Sequence, residues 1–76
     1  MFTERSDKMK NNRLIELRYK LGLNQQDIAD LLGITPQAYS LKENGKRSFK
    51  QNEMGAIYRM FSSIDNSITL QDIFLF

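Results

Sequence analysis

Two sets of helix punctuation stand back to back between Asn24 and Gly45, in the stretch NQQDIADLLGITPQAYSLKENG, and they leave the chain little choice of fold. Asn24 can accept a hydrogen bond from the backbone N–H of Asp27, and Asp27 can reach back to the N–H of Asn24. That is a capping box with Asp in place of the commoner Glu or Gln. Ile28, Leu31 and Leu32 then fall on one helical face, with small Ala29 beside them. Gly33 supplies the left-handed residue that stops this helix. Thr35-Pro36 opens another, a hydroxyl cap followed by a proline whose missing N–H is no loss in the first turn. The second helix runs on through Lys42, and Asn44-Gly45 ends it. Two short helices joined by a glycine-containing turn form a helix-turn-helix candidate.

The flanking segments read as further helices. Asn11 or Asn12 caps a helix predicted over Asn12 to Leu21, with Leu14, Leu17 and Leu21 along one side, Ile15 and Tyr19 extending the stripe, and Gly22 after it. The two helices of the central stretch are predicted over Gln25–Leu32 and Pro36–Glu43. Tyr39 is expected to lay its ring on the earlier of them with its hydroxyl at the surface. Beyond Gly45 the chain is polar and basic, and Phe49 is expected to plug into the core and anchor that loop. Met54, Ile57, Met60 and Phe61 recur at helical spacing over Gln51 to Phe61, and Glu53 sits in the first turn, where the helix dipole favours a carboxylate. Ser62 to Ser67 reads as a polar loop. Thr69 and Asp72 form another capping box, opening a short fifth helix that ends in Ile73-Phe74-Leu75-Phe76. No strand pattern occurs. The reading is all-α, a compact bundle of five helices over residues 11–76, preceded by an extension over residues 1–10. That extension lacks apolar periodicity and is expected to be mobile, either without a role or as a basic arm carrying Arg5, Lys8 and Lys10.

Composition narrows the function. The 76 residues contain neither cysteine nor histidine, which removes disulfides, the usual zinc ligands and most nucleophile–base pairs, so no enzyme, metal or cofactor is expected. No apolar run approaches the roughly 20 residues of a membrane span, and no signal peptide appears, so a cytoplasmic protein without a membrane partner is expected. The net charge of +2 is uneven. Residues 1–50 hold ten Lys/Arg against six Asp/Glu, and residues 51–76 one Arg against three acids. A basic front suits a domain that presents one face to a polyanion.

Taken in order, Leu17-Arg18, Gly22-Leu23-Asn24-Gln25, Ile28-Ala29, Leu32-Gly33-Ile34-Thr35, Ser40, Glu43-Asn44-Gly45-Lys46 and Ile73-Phe74 resemble the Cro/phage-repressor type of helix-turn-helix domain, the xenobiotic-response-element class. The resemblance runs from about Asn11 to Phe76. It implies a repressor-like bundle whose helix over residues 36–43 enters the major groove, with Pro36, Gln37, Ser40 and Leu41 facing bases. Gln37 is the best reader, because its amide can pair bidentately with adenine. Phosphate contacts would fall on Asn24 and Gln25 before the reading helix and on Asn44, Lys46 and Arg47 after it. Arg18 and Glu43 match a pair that forms an ion pair in such proteins. The sequence departs from the pattern at one place, where an apolar residue usually stands at Lys42 and a polar one at Leu41. Either Leu41 packs inward, or Leu41 is exposed and Lys42 snorkels past the core.

The resemblance implies a sequence-specific transcriptional regulator of phage or mobile-element origin, binding double-stranded operator DNA as a homodimer. It would work in the bacterial cytoplasm or the phage-infected host. The tail from Ile73 to Phe76 would cover the core and supply the dimer seam. The alternative is a modulator that docks onto a partner repressor, with Pro36 and Leu41 as apolar anchors and weak DNA binding of its own.

Overall fold

The structure is a computed structural model, and it describes residues 11–74. Arg5, Lys8 and Lys10 of the extension, and Leu75 and Phe76 of the tail, lie outside the described residues. Five helices follow one another among the described residues: α1 Asn12–Lys20, α2 Gln25–Leu32, α3 Pro36–Glu43, α4 Gln51–Ile64 and α5 Leu70–Phe74. Among the described residues there is no strand, and no helix is long and apolar enough to cross a membrane.

The helix ends form where local chemistry requires them. Asn11 Oδ1 accepts from the Leu14 N–H at 3.3 Å and starts α1. The Asn24 box on α2 is closed in both directions at 2.8 Å. Thr35 Oγ1 accepts from the Ala38 N–H at 3.0 Å and starts α3 behind Pro36. Each such cap stabilises its helix by about 1 kcal/mol. In the turn, Gly33 takes φ +72°, which lets the Ile34 N–H reach back to the Ala29 carbonyl at 3.0 Å. A methyl group at Gly33 would meet nothing within 4 Å, so its cost would come from the backbone conformation alone. At the far end of α3, Gly45 takes φ +82° and the Lys46 N–H donates to the Leu41 carbonyl at 2.8 Å. Both ends close by the six-to-one bond of a Schellman motif.

The core draws Leu14 and Leu17 from α1, Ile28 and Ala29 from α2, Tyr39 from α3, Ile57 and Phe61 from α4, Ile73 from α5, and Ile68 from the loop before it. Fully burying such an aliphatic or aromatic side chain contributes about 1.5–3 kcal/mol. With no disulfide, this burial is what holds so short a chain together. Phe49 packs its half-buried ring between Tyr39, at 6.1 Å, and Phe74, at 5.5 Å edge-on, which ties the α3–α4 loop and α5 to one aromatic cluster. The Thr69 box on α5 is present, at 2.8 and 3.1 Å.

Four expectations are corrected. Tyr19 does not extend the α1 stripe but is 71% exposed, its ring lying 4.7 Å from the Arg18 guanidinium carbon. Leu31 is 42% exposed, because the buried face of α2 is centred on Ile28 and Ala29. Helix α4 continues past Phe61 to Ile64. Ser62 and Ser63 are tolerated in that last turn, where their hydroxyls turn back onto the carbonyls of Arg59 and Met60, at 3.3 and 2.7 Å, rather than capturing backbone groups in a non-helical turn. Tyr39, finally, is fully buried with its hydroxyl inside the protein, for a reason that lies in the site.

Candidate nucleic-acid interface

The face that would meet a nucleic acid is built on α3 and the segments at its two ends. Gln37 and Leu41 are exposed, and Pro36 and Ser40 are half-buried. The choice left open by the sequence resolves in favour of an outward Leu41, 36% exposed, with Lys42 drawn inward and only 9% exposed. Lys42 does not snorkel to solvent. Its Nζ donates to Glu53 Oε1 at 2.9 Å and to the Ser48 carbonyl at 3.1 Å. A cation on the inner side of α3 is tolerated because this carboxylate waits for it in the first turn of α4. The same Oε1 accepts the Lys50 N–H at 2.9 Å. Burial alone would raise the Glu53 carboxyl, but the Lys50 amide and the Lys42 ammonium together hold it below its ordinary value.

The neighbouring residue, Glu43, faces another way. Its Oε2 accepts from Arg18 Nε at 2.7 Å and from the Tyr39 hydroxyl at 2.8 Å. Its Oε1 accepts from Arg18 Nη2 at 3.1 Å and from Gln25 Nε2 at 2.9 Å. Arg18 also donates to the Leu23 carbonyl at 3.2 Å. One carboxylate therefore joins α1, α2 and α3, and no buried side-chain polar atom among the described residues lacks a partner. This network explains why the Tyr39 hydroxyl is inside, as the fourth donor to Glu43. Burial pushes that hydroxyl far above its ordinary pKa, and the Glu43 carboxylate beside it adds to the effect. The Arg18 guanidinium is disfavoured by burial, yet its bonds to and attraction for Glu43 hold it above its ordinary value. Helix α3 is thus fixed on two sides by charge.

The phosphate candidates divide by what their side chains already do. Asn24 is exposed at the start of α2, with its Oδ1 engaged in the cap. Gln25 turns its amide nitrogen inward to Glu43, leaving the first-turn backbone N–H of α2 as its means of meeting an anion. Asn44 donates its amide to the Ser40 carbonyl at 2.9 Å and to the Ser40 hydroxyl at 3.3 Å, closing the C-terminal end of α3. Lys46 and Arg47 are exposed in the turn after α3, where both backbone N–H groups converge on the Leu41 carbonyl at 2.8 and 3.2 Å. Sequence reasoning missed Lys42 and Glu53 as a pair. The available signal was a lysine at an apolar position, eleven residues before an acid in a helix first turn.

A helix-turn-helix family model matches residues 14–62, from the first core leucine of α1 to near the end of α4, which is well over half of the chain. No curated protein and no solved structure matches significantly. The family is one of DNA-binding regulators rather than of enzymes. With its capped α2 and α3, the glycine turn between them and the matched span enclosing both, the chain belongs to the Cro/repressor-type helix-turn-helix family and is a DNA-binding transcription-regulator domain.

Proposed function

We propose that this domain is a sequence-specific regulator that lays α3 in the major groove of an operator. Gln37 reads a base, Pro36 and Leu41 offer apolar contact to thymine methyls, and Ser40 completes the reading face. Asn24 and Gln25 on one side, and Asn44, Lys46 and Arg47 on the other, hold phosphates and set the register. The observation that carries this reading is the exposed Gln37 at the N-terminal end of α3, with the exposed cations Lys46 and Arg47 just beyond its other end. A homodimer on two half-sites, and an origin in a phage or mobile element acting in a bacterial cytoplasm, belong to the same proposal.

Gln37→Ala provides the test. On a duplex selected from a random pool, the substitution should weaken binding by about 1–3 kcal/mol, while binding to a scrambled duplex barely changes. The exposed Leu41 supports a second reading, in which α3 docks onto a partner repressor and modulates it. Under that reading the unaltered protein binds selected and scrambled duplexes equally weakly, and Leu41→Ala weakens a protein complex instead. That outcome would replace the regulator.

A further inference from the structure

The loop from Asn44 to Lys50 carries three cations, yet its backbone is held at almost every step. Lys46 and Arg47 donate their backbone N–H groups to the Leu41 carbonyl. Ser48 gives its carbonyl to Lys42 Nζ at 3.1 Å, and Lys50 gives its N–H to Glu53 Oε1 at 2.9 Å. Phe49 is seated between Tyr39 and Phe74. Two of these ties, at Ser48 and Lys50, end on a single ion pair whose side chains are each 9% exposed. The exposed charges Lys46, Arg47 and Lys50 flank these ties along the loop.

A buried lysine–carboxylate pair is a costly means of holding two helices together, since well-packed apolar residues of similar volume often do as well or better. What an apolar pair would not supply at this place is an ammonium donor for the Ser48 carbonyl and an acceptor for the Lys50 amide. We infer that Lys42 and Glu53 are positioning residues for DNA binding: they hold the 46–50 loop in the conformation that presents its cations to phosphate, without touching DNA themselves. This rests on the proposed reading of Lys46 and Arg47 as phosphate contacts. The physical gain is preorganisation, because a loop already fixed loses less conformational freedom when DNA binds.

The test is the double variant Lys42→Met/Glu53→Gln. It strands no buried charge, leaves the net charge at its original +2 and retains an acceptor for the Lys50 amide. It should remain folded, with a melting temperature near the original. Its affinity for a random-sequence duplex of about two helical turns should nevertheless fall roughly 3–10-fold, as expected when a preorganised loop becomes free to move. Amide hydrogen exchange at Lys46, Arg47 and Lys50, the cationic loop residues whose N–H groups are hydrogen-bonded, should quicken, while amides of α1 and α2 keep their protection. Lys42→Arg, which keeps the donors and the charge, should bind as the original does. If the double variant fails to fold, Lys42→Leu/Glu53→Gln, which likewise strands no buried charge and keeps the net charge, gives the same comparison. A folded variant whose loop exchange quickens but whose affinity matches the original overturns the inference. If the original binds no duplex at all while loop exchange still quickens in the variant, the phosphate reading fails and the clamp loses its assigned purpose. Unchanged exchange overturns the clamp whatever happens with DNA.

Discussion

Lys42 and Glu43 are adjacent in sequence, both charged and both buried, and they face different parts of the molecule. Glu43 receives four hydrogen bonds from Arg18, Gln25 and Tyr39, which come from all three N-terminal helices. Lys42 reaches forward instead, to Ser48 in the next loop and to Glu53 at the start of α4. One network assembles the helix-turn-helix unit on α1, and the other ties that unit to the loop after α3 and to α4. The difference also lies in dependence. Remove Glu43, and a guanidinium, a phenol and an amide lose their partner together, with the Leu23 carbonyl left to Arg18. Remove Glu53, and an ammonium and one backbone amide lose theirs, with the Ser48 carbonyl left to Lys42.

That contrast sets the largest expected effect. Glu43→Ala should destabilise the fold by about 3–5 kcal/mol, because it strands the buried Arg18 charge. Glu53→Ala also strands a buried charge, but fewer donors depend on Glu53 and its pair lies nearer solvent, so it should cost less, about 3 kcal/mol at most. Urea melts of the two variants provide the comparison. Since native proteins have only about 5–15 kcal/mol of stability in all, the first change should bring so small a domain close to unfolding. Equal midpoints would show that the two networks contribute alike, contrary to their wiring.

A smaller effect lies on the acid side. The folded Glu53 carboxyl titrates below its ordinary 4.5. Its contribution to stability is therefore present above that value and is lost as the pH falls through it towards the folded-state value. Thermal melts between about pH 6 and pH 2 should show a shallower loss of stability for Glu53→Gln than for the original. The loss should not vanish, because Asp65 and Asp72 are also held low, by Ser67 and Thr69 respectively. Parallel curves would remove Glu53 as a source of acid sensitivity.

The smallest effect concerns exposed charge. Lys46→Ala should leave folding alone and reduce the slope of log K against log salt by about one unit, on selected and scrambled duplexes alike. An unchanged slope would make Lys46 an ordinary solvated side chain in a turn.

How much of the molecule is legible in its sequence depends on the range of the interactions. Asn24 with Asp27, Thr35 with Pro36, and Gly33 and Gly45 act over three or four residues, so the sequence displays the boundaries of α2 and α3 directly. The family resemblance places Arg18 opposite Glu43 across 25 positions, which no local pattern contains. Lys42 cannot be placed in the same way, since its orientation is decided by a carboxylate that reads locally as a helix-dipole residue. Tyr39 is misread for the matching reason: a phenol is expected to keep its hydroxyl wet unless a buried acceptor is known. Tyr19 and Leu31 show the limit of periodicity, which gives the direction of an apolar stripe but not its width. The proposed readers and phosphate contacts on α3 and around it come from the family pattern, and the fold shows which of these side chains are exposed.

Whether α3 and the segments at its two ends form the DNA-binding face is tested most directly by amide chemical-shift mapping with an isotope-labelled protein. Titration with a selected duplex should move the resonances of Asn24, Gln25, Gln37 to Leu41 and Asn44 to Lys50. Those of Ile57 to Ser63 on α4 should stay in place. With a scrambled duplex, the shifts at Lys46 and Arg47 should persist and those at Gln37 should shrink. Shifts concentrated on α4 and α5, or Gln37 shifts identical for the two duplexes, would contradict a reading face on α3.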